Sequence, residues 1–138
     1  MEEKTITFIV GDEPRGQQRP RFVRKTGTAY KPKEDRAYEQ NVRDAYLQTE
    51  GAEMLYGAVA IYITAYYKIP NSAPKSARLA MEDGTRLPTK KPDLDNIIKI
   101  INDGLKGAAF EDDKQVVRIT AEKMYAEDPY VLVSVQEV

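Results

Sequence analysis

The run Gly57-Ala58-Val59-Ala60-Ile61-Tyr62-Ile63-Thr64-Ala65-Tyr66-Tyr67 limits what this chain can become more than any other segment. It is almost continuously apolar and rich in β-branched and aromatic residues, the pattern of a central strand covered on both faces. Ile69-Pro70 ends it, and a central strand needs neighbours. Thr5–Val10 alternates at its start and reads as one strand, stopped by Gly11 and Pro14. Val116–Tyr125 alternates from Val117, and Tyr130–Val135 follows a turn at Asp128-Pro129, so these two are expected to pair as a hairpin. Helical spacing appears three times. Ala37, Tyr38, Val42, Ala45, Tyr46 and Thr49 mark a helix from Asp35 to about Gln48, closed by Gly51. Asn71 to Met81 suits a short helix with Pro74 in its first turn, followed by a turn at 82–85. Leu94, Ile97, Ile98, Ile101 and Leu105 form the apolar stripe of a helix over Leu94–Lys106. The order β–loop–α–β–α–α–β–β predicts an α/β (α+β) fold, a single mixed sheet of about four strands with helices packed on it. A chain of 138 residues makes this one domain, 1–138.

Two absences narrow the chemistry. The chain has no cysteine and no histidine, which excludes disulfides, thiolate or imidazole metal sites, cysteine nucleophiles and imidazole bases. Acid–base or metal chemistry must use carboxylates, lysines, tyrosines or water. No apolar run approaches the ~18 residues of a membrane span. Met1-Glu2-Glu3-Lys4 is acidic and leads into the first strand rather than reading as a signal peptide. The expected location is therefore the cytoplasm.

The formal charge of −1 hides an uneven distribution. Cations collect between Arg15 and Arg43 and between Lys68 and Lys91, while acids collect over Asp93–Asp113 and in the C-terminal part. A basic surface beside an acidic pocket suits a protein that grips phosphates and holds a metal; a mixed solvated surface fits the same counts. The segment Arg15-Gly16-Gln17-Gln18-Arg19-Pro20-Arg21-Phe22-Val23-Arg24-Lys25 is broken by glycine and proline and reads as an extended arm or loop. Its guanidinium groups could fork phosphate oxygens, or merely solubilise a loop. Arg15, Arg19, Arg21, Arg24 and Lys25, with Lys90 and Lys91, are the candidate DNA-binding residues.

The chemistry concentrates in Lys90-Lys91-Pro92-Asp93-Leu94-Asp95-Asn96-Ile97-Ile98-Lys99 and its continuation Glu111-Asp112-Asp113-Lys114-Gln115-Val116-Val117. Proline holds the chain extended before a helix that begins with Asp93 as its natural N-cap. Asp93 and Asp95 can then face one opening, and Lys99 lies one turn from Asp95. If the strand after Asp113 lies beside the helix N-terminus, Asp112 or Asp113 joins Asp93 and Asp95 there. Crowded carboxylates favour a bound Mg²⁺, which takes hard oxygen ligands and can activate water where no histidine is present. Lys99 could stabilise the leaving oxygen. The same acids would also favour the helix dipole, and Asp95–Lys99 is an ordinary surface pair.

These residues resemble the RusA-type Holliday junction resolvases, small endonucleases of bacteria and their phages. The resemblance rests on Asp93-Leu94-Asp95-Asn96, Lys99, Asp103-Gly104-Leu105, Phe110, and Asp112-Asp113 followed by Gln115-Val116-Val117, and extends more loosely to the first strand, the arm and the helix from Asp35. It implies a RusA-like fold and a Mg²⁺-dependent homodimer, with Mn²⁺ as substitute, that cuts four-way DNA junctions by paired symmetric nicks in recombination and repair. It implies that Asp93, Asp95 and Asp113 match the family's catalytic carboxylates and Lys99 its essential lysine, with Asp112 a further possible ligand. The arm Gly16–Phe22 looks like that of Gram-positive and phage members and is expected to differ from the family's better-known branch, and the family resemblance implies a bacterial or phage-encoded protein. Neither a membrane nor a nucleotide cofactor is implied. The alternatives are a non-catalytic DNA-binding phage accessory protein of the same fold, and a structural domain whose aspartates only cap a helix.

Overall fold

A computed structural model describes residues 4–138; the acidic start read at Met1-Glu2-Glu3 lies outside the described residues. Four strands form one mixed sheet: β1 (Thr5–Gly11), β4 (Val59–Lys68), β5 (Val116–Ala126) and β6 (Tyr130–Glu137), in the order β1-β6-β4-β5. Three helices accompany them, α1 (Lys33–Leu47), α2 (Lys75–Glu82) and α3 (Leu94–Leu105). The α+β architecture expected from the element order is the one observed.

β4 is central, pairing antiparallel with β6 and parallel with β5. Its apolar run has a different basis from the one expected. Val59, Ala60 and Ile61 are buried in succession, but beyond them burial alternates, and Tyr62, Thr64 and Tyr66 are only half-buried. On that second face the sheet covers itself with cross-strand pairs. Tyr66 stacks on Tyr130 with centroids 4.5 Å apart, and the Tyr62 hydroxyl donates to Gln136 Oε1 at 3.2 Å.

The expected β5–β6 hairpin is not formed, because β4 lies between the two strands. The connection Glu127-Asp128-Pro129 spans two inter-strand spacings, about 9.5 Å, which three extended residues can reach. A tight turn signal between two strands is therefore equally compatible with a split pair. β6 gains a partner on each side, β1 on one and β4 on the other.

The core lies between the sheet and the pair α1/α3. Ile6, Phe8 and Val10 of β1, alternate residues Ile61, Ile63, Ala65 and Tyr67 of β4, and Val131, Val133 and Val135 of β6 meet Val42, Tyr46, Ile97, Ile101 and Leu105. α3 is phased so that Ile100 and Gly104 are also buried, whereas Leu94 and Ile98 are only partly so. Gly104 permits the helix crossing: a Cβ there would lie 2.7 Å from Val42 Cβ and 2.9 Å from the Glu39 carbonyl oxygen. On α1 the inward face differs from the expected apolar stripe. Ala37 is exposed, and Asp35 and Glu39 are buried in line with Tyr38, Val42 and Tyr46. The arm contains a short hairpin, β2 (Arg21–Val23) with β3 (Thr28–Tyr30), turned at Gly27 with φ +67°. α2 starts later than Asn71, at Lys75 with Pro74 as its N-cap residue.

Candidate active site

α3 begins where the end of β4 supports it. The buried Tyr67 donates its hydroxyl to the Pro92 carbonyl at 2.8 Å, fixing the residue before Asp93. Burial, followed by the negative charges of Asp93 and Glu13, pushes that hydroxyl up to about 12. Two ammonium groups flank the same ring, Lys123 Nζ at 5.2 Å and Lys90 Nζ at 5.9 Å from its centroid, and Lys123 Nζ also donates to the Lys90 carbonyl at 2.7 Å.

Asp93 occupies the N-cap position with extended backbone, but its side chain accepts no capping hydrogen bond. Asp93, Asp95 and Lys99 are exposed, and no ion pair joins Asp95 to Lys99 among the described residues. A capping role leaves a carboxylate bonded to a first-turn N–H. Here both carboxylates keep their lone pairs available.

The arm meets this helix start. A cleft of about 890 Å³ is lined by residues 14–19 on one side and by Lys91, Pro92, Asp93 and Asn96 on the other. Contact is close at Gly16, where a Cβ would lie 2.8 Å from Pro92 Cβ and 3.0 Å from Asn96 Cβ. The Gln17 amide donates to the Asn96 carbonyl at 3.0 Å, and Gln17 Nε2 donates to Asp103 Oδ2 at 2.8 Å. From α1, the fully buried Asp35 accepts from Arg15 Nε and from the Gln18 amide, each at 2.8 Å. Lys31 Nζ bridges Glu39 at 2.7 Å and Asp103 at 3.2 Å; burial lowers its affinity for the proton, but these two carboxylates outweigh that and leave its pKa raised.

Among the expected DNA-binding residues, Arg19 and Lys91 line the cleft, and Arg21, Arg24 and Lys25 lie on the exposed hairpin segment. Lys90 stands over Tyr67, and Arg15 has its Nε engaged by Asp35. Sequence reasoning missed Asp35, Gly16, Tyr67 and Lys123 as parts of the site. The spacing Asp35, Tyr38, Val42, Tyr46 was a usable signal, since a carboxylate on a buried stripe requires a partner.

The Asp112-Asp113 corner lies elsewhere, which corrects the expectation that β5 would carry it back to the helix start. β5 runs parallel to β4, so its beginning lies by Val59 while Asp93 lies by Tyr67 at the other end. Asp113 Oδ2 is 3.8 Å from Lys106 Nζ, just past the C-terminal end of α3. With 12 residues in α3, the two carboxylate pairs are separated by about 18 Å of helix. No group of three or more candidate ligands forms within one copy among the described residues. At the corner, Asp112 accepts from the Lys114 amide at 3.0 Å, and this bond draws its pKa down. Gln115 Oε1 accepts from the Glu111 and Asp112 amides, and Gln115 Nε2 donates to the carbonyls of Leu55 and Gly57. The result is a capping box around a single turn of 3₁₀ helix. Asp113 takes no part in it.

The site is thus an α+β domain's helix start, where Asp93 faces the basic arm across a cleft. Residues 12–136 match the family described as Endodeoxyribonuclease RusA, and the chain belongs to that family. It is 33% identical over 137 residues to the uncharacterised protein YqaN of Bacillus subtilis (strain 168), covering 96% of each chain. No helix among the described residues is long and apolar enough to cross a membrane.

Proposed function

We propose that the protein is a Mg²⁺-dependent endonuclease that resolves four-way DNA junctions as a homodimer. The observation that carries this reading is Asp93, uncapped in a cleft whose opposite wall is the basic arm, with the exposed Asp95 two residues on in the same first turn of α3 and outside the cleft's lining. Two free carboxylates suit Mg²⁺, which binds through one or two such groups and completes its shell with water and substrate phosphate. When bound, the ion supplies Lewis acidity toward the scissile phosphate and the attacking water. Arg19 and Lys91 hold the phosphodiester from the walls of the cleft. Lys99, a turn beyond Asp95, offers its ammonium to the leaving oxygen. Tyr67 keeps the helix start in place through Pro92.

Asp113 cannot reach that pair within its own copy, and paired nicks in opposed strands require two sites. Both facts support a dimer in which each copy completes the other's site with Asp113. Asp112, bound up in the corner's capping box, is left out of the ligand set.

Mixing variants tests this reading. Asp95→Asn and Asp113→Asn are each expected to be inactive on a synthetic four-way junction in Mg²⁺. A mixed dimer with shared sites holds one intact site and one doubly altered site, so mixing the two variants should restore nicking of one strand. Failure to restore it argues for sites built within one copy, and a wild type that cuts in neither Mg²⁺ nor Mn²⁺ refutes the enzyme reading. Binding linear duplex as tightly as the junction would remove the substrate assignment.

A further inference from the structure

The foot of the arm is held more firmly than a flexible DNA-binding loop requires. Asp35 has no exposed side-chain surface, yet it lies in the first turn of α1 with both oxygens turned to the arm. It holds Arg15 through the side chain and Gln18 through the backbone, on either side of Gly16-Gln17. Those two middle residues are thereby pressed against the first turn of α3, Gly16 on Pro92 and Asn96, and Gln17 on the Asn96 carbonyl. The next residues along the chain are Arg19 in the cleft wall and Arg21 on the exposed hairpin. From α1, Asp35 thus holds the foot of the arm against the first turn of α3, beside Asp93.

We infer that Asp35 is a positioning residue, which through Arg15, Gly16 and Gln18 sets the distance between the DNA grip and the cutting site. The inference rests on the endonuclease reading and adds a role for a carboxylate that touches neither DNA nor metal. The geometry provides two independent ways to disturb it. Asp35→Asn presents one acceptor and one N–H₂ to two donors, so one of the bonds to Arg15 and Gln18 is lost. Gly16→Ala leaves Asp35 intact and drives the arm off α3 by inserting a Cβ 2.8 Å from Pro92 Cβ.

The experiment combines single-turnover cutting of a four-way junction at saturating protein, junction Kd, mapping of cuts to the nucleotide, and hydrogen exchange at the Gln17 and Gln18 amides. Both variants are expected to lose about 10- to 100-fold in cutting rate, the cost of misplacing a reacting group by about an ångström. Kd should stay within about threefold of wild type, and the cuts should spread to neighbouring phosphates. Unchanged rates and cut positions overturn the inference. So does a rate loss that saturating protein abolishes, because the arm is then a grip alone. If Asp35→Asn does not fold, Gly16→Ala decides by the same criteria. If wild type itself does not cut, the endonuclease reading fails and exchange decides the clamp. Gln18 protected in wild type and about tenfold faster in Asp35→Asn supports it, and equal exchange overturns it.

Discussion

The two ends of α3 each carry a pair of acidic residues, and the pairs are used differently. At the N-terminal end Asp93 and Asp95 make no side-chain hydrogen bonds, although Asp93 occupies the position where a cap belongs. Beyond the C-terminal end, Asp112 closes a capping box with Gln115, while Asp113 has only a long contact to Lys106. Similar residue types therefore divide into a structural carboxylate and three left open to solvent. What separates them is the bond made: Asp112 accepts from the Lys114 amide, whereas the Asp93 side chain, also on extended backbone at an N-cap, accepts from none.

The largest test of this contrast is Asp95→Asn, expected to lower Mg²⁺-dependent junction cutting by about 10³-fold or more while junction binding persists. Retained cutting would place the chemistry away from the helix start. Lys99→Ala comes next, with an expected loss of about 10²- to 10³-fold in kcat and an unchanged melting curve. An unaltered kcat would reduce Lys99 to a surface cation. Gln115→Ala acts on the other end of the helix. It removes two acceptor and two donor contacts and should lower stability by about 1–3 kcal/mol in denaturant unfolding. Asp112→Asn is the smallest, with cutting within about threefold of wild type, since Asn retains an acceptor for the Lys114 amide. Its pH dependence is diagnostic. Because Asp112 has a depressed pKa, its contribution to stability is present above the ordinary carboxylate value of 3.8 and is lost as pH falls through the lower folded value. The melting advantage of wild type over Asp112→Asn should accordingly close below that pH; an advantage that persists would mean the charge on Asp112 is irrelevant.

Much of the fold was legible because periodicity reports the type of element a segment forms, even where, as in β5, burial does not follow the alternation. β1, β4, β5, β6 and α3 lie within a few residues of where the alternation and the 3.6-residue stripe placed them. Pairing was less accessible. Nothing in Tyr125 to Tyr130 distinguishes a hairpin from a split pair, since the residue that matters, Tyr66 stacked on Tyr130, is some sixty positions earlier. The candidate site was legible in its residue types and not in its distances. Asp93, Asp95 and Lys99 could be placed by helical geometry, whereas the position of Asp113 depends on the direction of β5 relative to β4. Asp35 was hidden because a hydrophobic pattern gives a buried charge no weight, even when an arginine twenty residues earlier neutralises it.

The place of β6 in the sheet also governs when the molecule can form. Its residues bond β1 on one side and β4 on the other, and a Thr7–Ser134 hydroxyl pair at 2.8 Å joins positions 127 apart in the chain. Contacts of such separation are slow to close, since the intervening chain must be ordered first. During synthesis β1 and β4 remain without their shared neighbour until residues 130–137 have left the ribosome. The four-stranded sheet is thus closed only by the last strand of the chain to be made.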